Sequence, residues 1–215
     1  MMNPRPIACG PMNRSTTEGG FLAKALAFLA LSALGLVSLW GSGAQAAPAC
    51  PSLLNTTLTR LQDDAPIQLC QYSGKVLLVV NTASYCGFTD QYKDLEALYQ
   101  RYKDKGLVVL GFPSNDFSQE PGSNQSVAEF CSNTYSVKFP MFAKSHIKGP
   151  KANSLFKQLS QQAEAPGWNF HKYLIGPDGR LVRSYASVVS PLSRTVLTDI
   201  EALLNKRPTS APQKG

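Results

Sequence analysis

Cys86 is followed at once by Gly87 and lies between an apolar run and an amphipathic stretch. Residues 75–89 read KVLLVVNTASYCGFT, and residues 91–106 read QYKDLEALYQRYKDKG. A cysteine at a strand-to-helix turn lies near the positive end of a helix dipole, which favours the thiolate. Thiolates are the nucleophiles of peroxide reduction and of disulfide exchange. Position +3 is Thr89, so the C-x-x-C pattern of dithiol redox motifs is absent. The alternative for Cys86 is a buried structural thiol, because free cysteines are often buried. A Gly-flanked turn argues for exposure and chemistry.

Other residues could do chemistry. Cys131 lies 45 positions after Cys86, so the two sulfurs can meet only through folding or local unwinding. Its alternative role is to fill a helix core face beside Phe130. His146 and His171 are the only histidines, and neither shows ligand spacing, so no metal site is expected. His171 reads as a surface or hairpin residue. Cys50 and Cys70 flank a stretch that reads as a β-hairpin. In an oxidising compartment such a pair is expected to form a structural disulfide, worth roughly 3 kcal/mol in the chain-entropy model. The alternative places one of them in a redox relay.

These residues need a scaffold. Val76 to Val80 is a continuous apolar run, as a strand covered on both faces requires. Tyr92, Leu95, Leu98, Tyr99 and Tyr102 recur at helical spacing, and Gly106 ends the helix. Residues 107–112 (LVVLGF) form a second buried strand, completing a parallel βαβ unit. Ser126 and Glu129 suggest a capping box for a helix through Cys131. Residues 139–142 (FPMF) read as a short strand. Residues 152–162 carry a helix face of Leu155, Phe156 and Leu159. Residues 172–175 and 181–187 make a hairpin around Pro177, Asp178 and Gly179. Residues 193–205 form a last amphipathic helix. This order predicts an α/β chain of thioredoxin-like fold: a central mixed sheet flanked by helices, with an N-terminal β-hairpin.

Three further segments join the Cys86 motif: GFPSNDFSQEPG (111–122), FCSNTYSVKFP (130–140) and GWNFHKYLIGPDG (167–179). Together, in this order, they resemble the glutathione peroxidase family over about residues 74–200. The resemblance implies a peroxidase of the exported bacterial type that reduces hydrogen peroxide or organic hydroperoxides in the response to oxidative stress. It makes Cys86 the peroxidatic nucleophile and Gln119, Trp168 and Asn169 the rest of a catalytic tetrad. It makes Cys131 the resolving cysteine of the two-cysteine, monomeric branch. Neutral amide and indole donors suit the role, because they stabilise developing charge without titrating. No cofactor is implied; a thioredoxin-like dithiol protein or glutathione serves as reductant. The family pattern is broken at Ser114, where many members carry a cysteine. The NDFSQ loop is also one residue shorter than the usual N-Q-F-G-G-Q. The short stretch between Pro140 and Trp168 lacks the insertion that builds the tetramer interface in larger relatives, which favours a monomer. Taken alone, Gln119 could be an ordinary loop residue and Trp168 a core aromatic. A thiol–disulfide oxidoreductase and a single-use peroxide sensor remain the alternative functions.

The N-terminus bears on where this chemistry occurs. Residues 25–40 form an uncharged apolar run of sixteen, preceded by Arg14 and Lys24 and followed by Ala44-Gln45-Ala46. A basic start, a short apolar centre and an A-x-A site make a signal peptide over residues 1–46. Export to the periplasm or the exterior follows, with no stable membrane association after cleavage. The alternative is an uncleaved anchor. Met12 is a candidate start, and a lipidated Cys50 is a weaker option. Removing the leader takes away Arg5, Arg14, Lys24 and Glu18 and lowers the net charge from +7 to +5. That charge is spread without runs of like sign, so no nucleic-acid footprint is present. The domain then covers residues 47–205, and residues 206–215 form a polar tail expected to be disordered.

Overall fold

A computed structural model describes residues 50–206. The leader expected over residues 1–46, and all of the expected tail except Lys206, lie outside the described residues. The strands are β1 (Thr57–Thr59), β2 (Pro66–Gln68), β3 (Val76–Thr82), β4 (Leu107–Pro113), β5 (Lys172–Ile175) and β6 (Leu181–Tyr185). The helices are α1 (Gln91–Tyr102), α2 (Asn124–Tyr135), α3 (Ser154–Gln162) and α4 (Arg194–Asn205). β1 and β2 pair as the expected antiparallel hairpin. The main sheet runs β4-β3-β5-β6, with β3 and β4 parallel and the other neighbours antiparallel. This is the thioredoxin-like α/β arrangement.

β3 explains the sheet's position. Every residue of it is buried. Its side chains alternate between two apolar clusters, as a pleated strand requires. Val76, Leu78 and Val80 pack with Leu95 and Leu98 of α1, Val127 of α2 and Ile200 of α4. Leu77 and Val79 pack on the other face with Phe156 of α3, Phe112 and Tyr173. Burying each such side chain is worth about 1.5–3 kcal/mol. α1 ends through a short 3-10 turn at Gly106, whose φ of 104° suits a residue without Cβ.

Three expectations change in detail. The cap of α2 is Ser123, not Ser126. Ser123 is extended, and its hydroxyl accepts the Ser126 N–H at 3.2 Å. Ser126 lies inside the helix, and Glu129 accepts instead from Gln125 at 3.0 Å. Residues 139–142 do not form a strand; only isolated bridges occur, Gly111 with Met141 and Arg60 with Phe142. Of the surface or hairpin reading of His171, only the hairpin part holds: it directly precedes β5, is 3% exposed, and its ring is tilted 55° against Tyr173 with centroids 4.7 Å apart.

The sheet has two distinct poles. β3 and β4 end together, with Thr82 opposite Pro113, and β5 begins there with Lys172 opposite Val80. At the other pole Leu77 pairs with Ile175, and the β5–β6 turn closes over the start of β3 through Gly74 N–H to the Pro177 carbonyl. Pro51 packs into that turn against Gly179, where φ is +76° and a Cβ would collide with the proline ring.

Candidate active site

Cys86 occupies the turn between β3 and α1. It is half-buried, and Tyr85 and Gly87 beside it are exposed. Thr89 closes the turn. Its hydroxyl accepts the Cys86 N–H at 3.0 Å and faces the Cys86 carbonyl at 2.7 Å and the Ala83 carbonyl at 3.1 Å. The residue three places after Cys86 therefore acts as a staple. The sulfur itself accepts the Phe88 N–H at 3.4 Å. The first residue of α1, Gln91, comes only after two further turn bonds, so the helix's first turn does not hold the sulfur directly.

The loop after β4 brings Gln119 to this turn. Tyr85 N–H donates to the Gln119 carbonyl at 3.1 Å. The Gln119 Oε1 accepts Asn169 Nδ2–H at 2.8 Å across 50 positions. With the oxygen occupied in this way, the Gln119 amide nitrogen is left to donate elsewhere. The short loop is accommodated at Ser118, which takes a φ of 57°, a conformation that glycine adopts more easily.

Asn169 is fully buried, whereas Trp168 is 41% exposed and leans on Phe117 with ring centroids 5.1 Å apart. Trp168 is thus not a core aromatic. Three groups hold this segment. Asn81 Nδ2–H donates to the Trp168 carbonyl at 3.1 Å, and Phe170 N–H donates to the Asn81 carbonyl at 2.7 Å. Lys172 Nζ, fully buried, donates to the carbonyls of Phe170 at 2.7 Å and Val189 at 2.8 Å. Burial pulls the Lys172 ammonium down to about 7, against the opposing charge of Asp94. Phe170 sits at φ 62°, strained for an aromatic residue, and both its backbone groups are pinned.

The structure thus gathers Cys86, Gln119, Trp168 and Asn169 at one pole. Cys131 lies on α2, 2% exposed and unbonded, and both it and Cys86 border the same apolar cluster. Burial, with the Glu120 charge adding to it, pushes the Cys131 thiol up to about 11. Cys50 and Cys70 form a disulfide with Cα atoms 5.5 Å apart, at the opposite pole.

Sequence reasoning missed several contributors. Asn81 and Lys172 were visible as polar residues in otherwise apolar strand patterns. The Thr89 hydroxyl and Glu120 gave no periodic signal. Glu120 is 1% exposed, and its Oε2 accepts both the Ser84 N–H at 2.8 Å and the Ser84 hydroxyl at 3.0 Å. Burial raises its carboxyl above the ordinary range, opposed by the Ser84 bonds and the Lys144 charge. Among the described residues no cluster of three or more His, Cys, Asp and Glu side chains suits a metal.

A family model described as glutathione peroxidase matches residues 54–160. The glutathione peroxidase-like peroxiredoxin gpx1 of Schizosaccharomyces pombe is 44% identical over 149 residues, covering 66% of this chain and 93% of the relative. The hydroperoxy fatty acid reductase gpx1 of Synechocystis is 45% identical over 156 residues, covering 66% and 90%. The crystal structure of Trgpx in apo form superposes with a TM-score of 0.59 at 36% identity, covering 74% of this chain and 99% of that one. With relatives covered almost end to end at this identity, the chain belongs to the glutathione peroxidase family.

Proposed function

We propose that the chain is a thiol peroxidase in which Cys86 attacks a peroxide and an external thiol restores it. The observation that carries this reading is the Gln119–Asn169 amide pair, tied to the Cys86 turn through the Tyr85 N–H. Neutral donors tied to the turn that carries a half-buried sulfur can stabilise the charge that develops as the O–O bond breaks. The Cys86 thiolate takes one oxygen and becomes a sulfenic acid, and the other oxygen leaves as water or alcohol. Gln119 and the Trp168 indole donate hydrogen bonds to the departing oxygen, and Asn169 fixes the orientation of Gln119. Cys131 then attacks the sulfenic acid, and a dithiol protein or glutathione opens the resulting disulfide.

The rim of the site carries exposed aromatic rings: Tyr85 is 71% exposed and Trp168 41%. That surface suits an organic hydroperoxide, in keeping with the name of the Synechocystis relative. The missing insertion before Trp168 favours a monomer. The N-terminal pattern supports export as a cleaved precursor, so the reductant would be an exported thiol.

Steady-state peroxide consumption with a regenerating dithiol tests the function. Many turnovers per chain are expected. A single stoichiometric oxidation would make the chain a sensor. Disulfide exchange without peroxide consumption would make it an oxidoreductase, a role to which the Thr89 staple is ill suited.

A further inference from the structure

Between the Cys86 turn and α2 lies a cleft of about 50 Å³, lined by Ser84, Tyr85, Glu120, Ser126 and Val127 among others. Glu120 stands in its wall with one oxygen engaged and the other not. Oε2 is held by Ser84, while the buried Oε1 has no hydrogen-bond partner among the described residues. A buried acceptor left without a donor is costly, and in native structures it calls for a reason. Val127 is four residues before Cys131 on α2, so the two share a helix face. Cys131 is therefore one turn from the cleft whose wall holds the Glu120 carboxyl.

We propose that Glu120 is the proton acceptor for Cys131 in the step that closes the Cys86–Cys131 disulfide. The inference rests on the resolving role of Cys131 given above. The step is Cys86–S–OH plus Cys131–S–H giving Cys86–S–S–Cys131 plus water. The S–H bond of Cys131 and the S–O bond of Cys86 break as the S–S bond forms. Oε1 takes the thiol proton and delivers it to the hydroxide leaving Cys86. Cys131 is oxidised, and the Cys86 sulfur is reduced from the sulfenic level that the peroxide set.

Neighbouring groups fit the assignment. The Tyr92 hydroxyl is buried without a hydrogen-bond partner among the described residues, and burial holds it protonated far above neutral pH, so it is not a base for the thiol. The Thr82 hydroxyl is not basic. Glu129 is exposed and paired with Gln125. Glu120 is anchored to the Cys86 turn through Ser84, not to α2. When α2 loosens and Cys131 travels toward Cys86, the carboxyl stays where the sulfurs must meet.

The test uses the full reduced chain, one equivalent of hydrogen peroxide, and two rates. Appearance of Cys86 sulfenic acid is followed by dimedone trapping, and closure by mass spectrometry of the disulfide. In Glu120→Gln the ratio of closure rate to oxidation rate should fall about a hundredfold, and Glu120→Asp should restore part of it. Wild-type closure should also be slower in D2O, an effect that does not depend on any variant folding. A ratio equal to wild type in Glu120→Gln, or closure indifferent to D2O, overturns the proposal. If wild type accumulates sulfenic acid and forms no Cys86–Cys131 bond, the resolving role itself fails and takes this inference with it.

Discussion

Among the described residues the cysteines fall into two pairs, one at each pole of the sheet, and they differ in what the backbone allows. Cys50 and Cys70 are joined, 20 positions apart, where the chain folds back through a hairpin. Pro51 packs against Gly179 at that end. Cys86 and Cys131 are unbonded. One sits in a hydrogen-bonded turn open to solvent; the other is packed in a helix, where its sulfur stays protonated until pH nears 11. The first pair reads as a fixed crosslink. If Cys131 resolves Cys86 as proposed, the second is a crosslink that forms when α2 loosens enough to meet a disulfide's narrow Cα spacing. Placement, more than cysteine chemistry, separates structural from reactive sulfur.

Breaking the reactive pair should have the largest effect. Cys86→Ser should lose peroxide turnover to background. Cys131→Ser should consume one equivalent per chain and then stall with trapped sulfenic acid. Normal cycling of Cys131→Ser with a dithiol would remove its resolving role. The same asymmetry should show in labelling of the reduced native chain: iodoacetamide at pH 8 should reach Cys86 well before Cys131. The sign follows from burial, which raises the Cys131 thiol and so keeps its nucleophilic form scarce below about 11.

The donors come next. Gln119→Ala and Trp168→Phe should each slow Cys86 oxidation by about 10²-fold, with smaller changes in apparent peroxide affinity. Stopped-flow rates against peroxide concentration separate the two. Equal losses in affinity and rate would make these residues part of peroxide capture instead.

Some of this contrast was legible in the sequence, and the reasons are specific. β3, α1 and β4 declared themselves because apolar spacing is a local property of 5–12 residues. The tetrad positions came from segment resemblance, not from periodicity. Glu120, by contrast, takes its role from Ser84, 36 positions away, and Asn81 from Trp168, 87 away. Such bonds leave no mark on spacing. The cap of α2 was misplaced by one turn because Ser123 and Ser126 are the same residue type. Only backbone conformation separates them: Ser123 is extended, with ψ of 165°, and Ser126 is helical.

Removing the fixed pair should cost stability and leave chemistry alone. In a Cys50→Ser, Cys70→Ser double variant, unfolding free energy should fall by about 3 kcal/mol. For a domain of this size that is a drop of about 6–12 °C in Tm. Peroxide turnover below the new Tm should match wild type. A loss of turnover with the fold intact would move this pair into the relay and erase the distinction between the poles.

The smallest expected effect probes the movement itself. Ser123 caps α2 through its bond to the Ser126 N–H. Ser123→Ala should destabilise that helix by about 1 kcal/mol, and at 1.4 kcal/mol per decade the open population should rise about fivefold. Amide exchange across residues 124–135 should quicken by that factor. If opening precedes closure as a rapid equilibrium, disulfide formation after oxidation should quicken equally, while Cys86 oxidation, made by elements outside α2, should not. The observed closure rate is then the open fraction multiplied by the chemical step, so the Ser123 and Glu120 substitutions should act independently and in opposite directions. Faster exchange without faster closure would show that α2 opens along a route that does not bring Cys131 to Cys86.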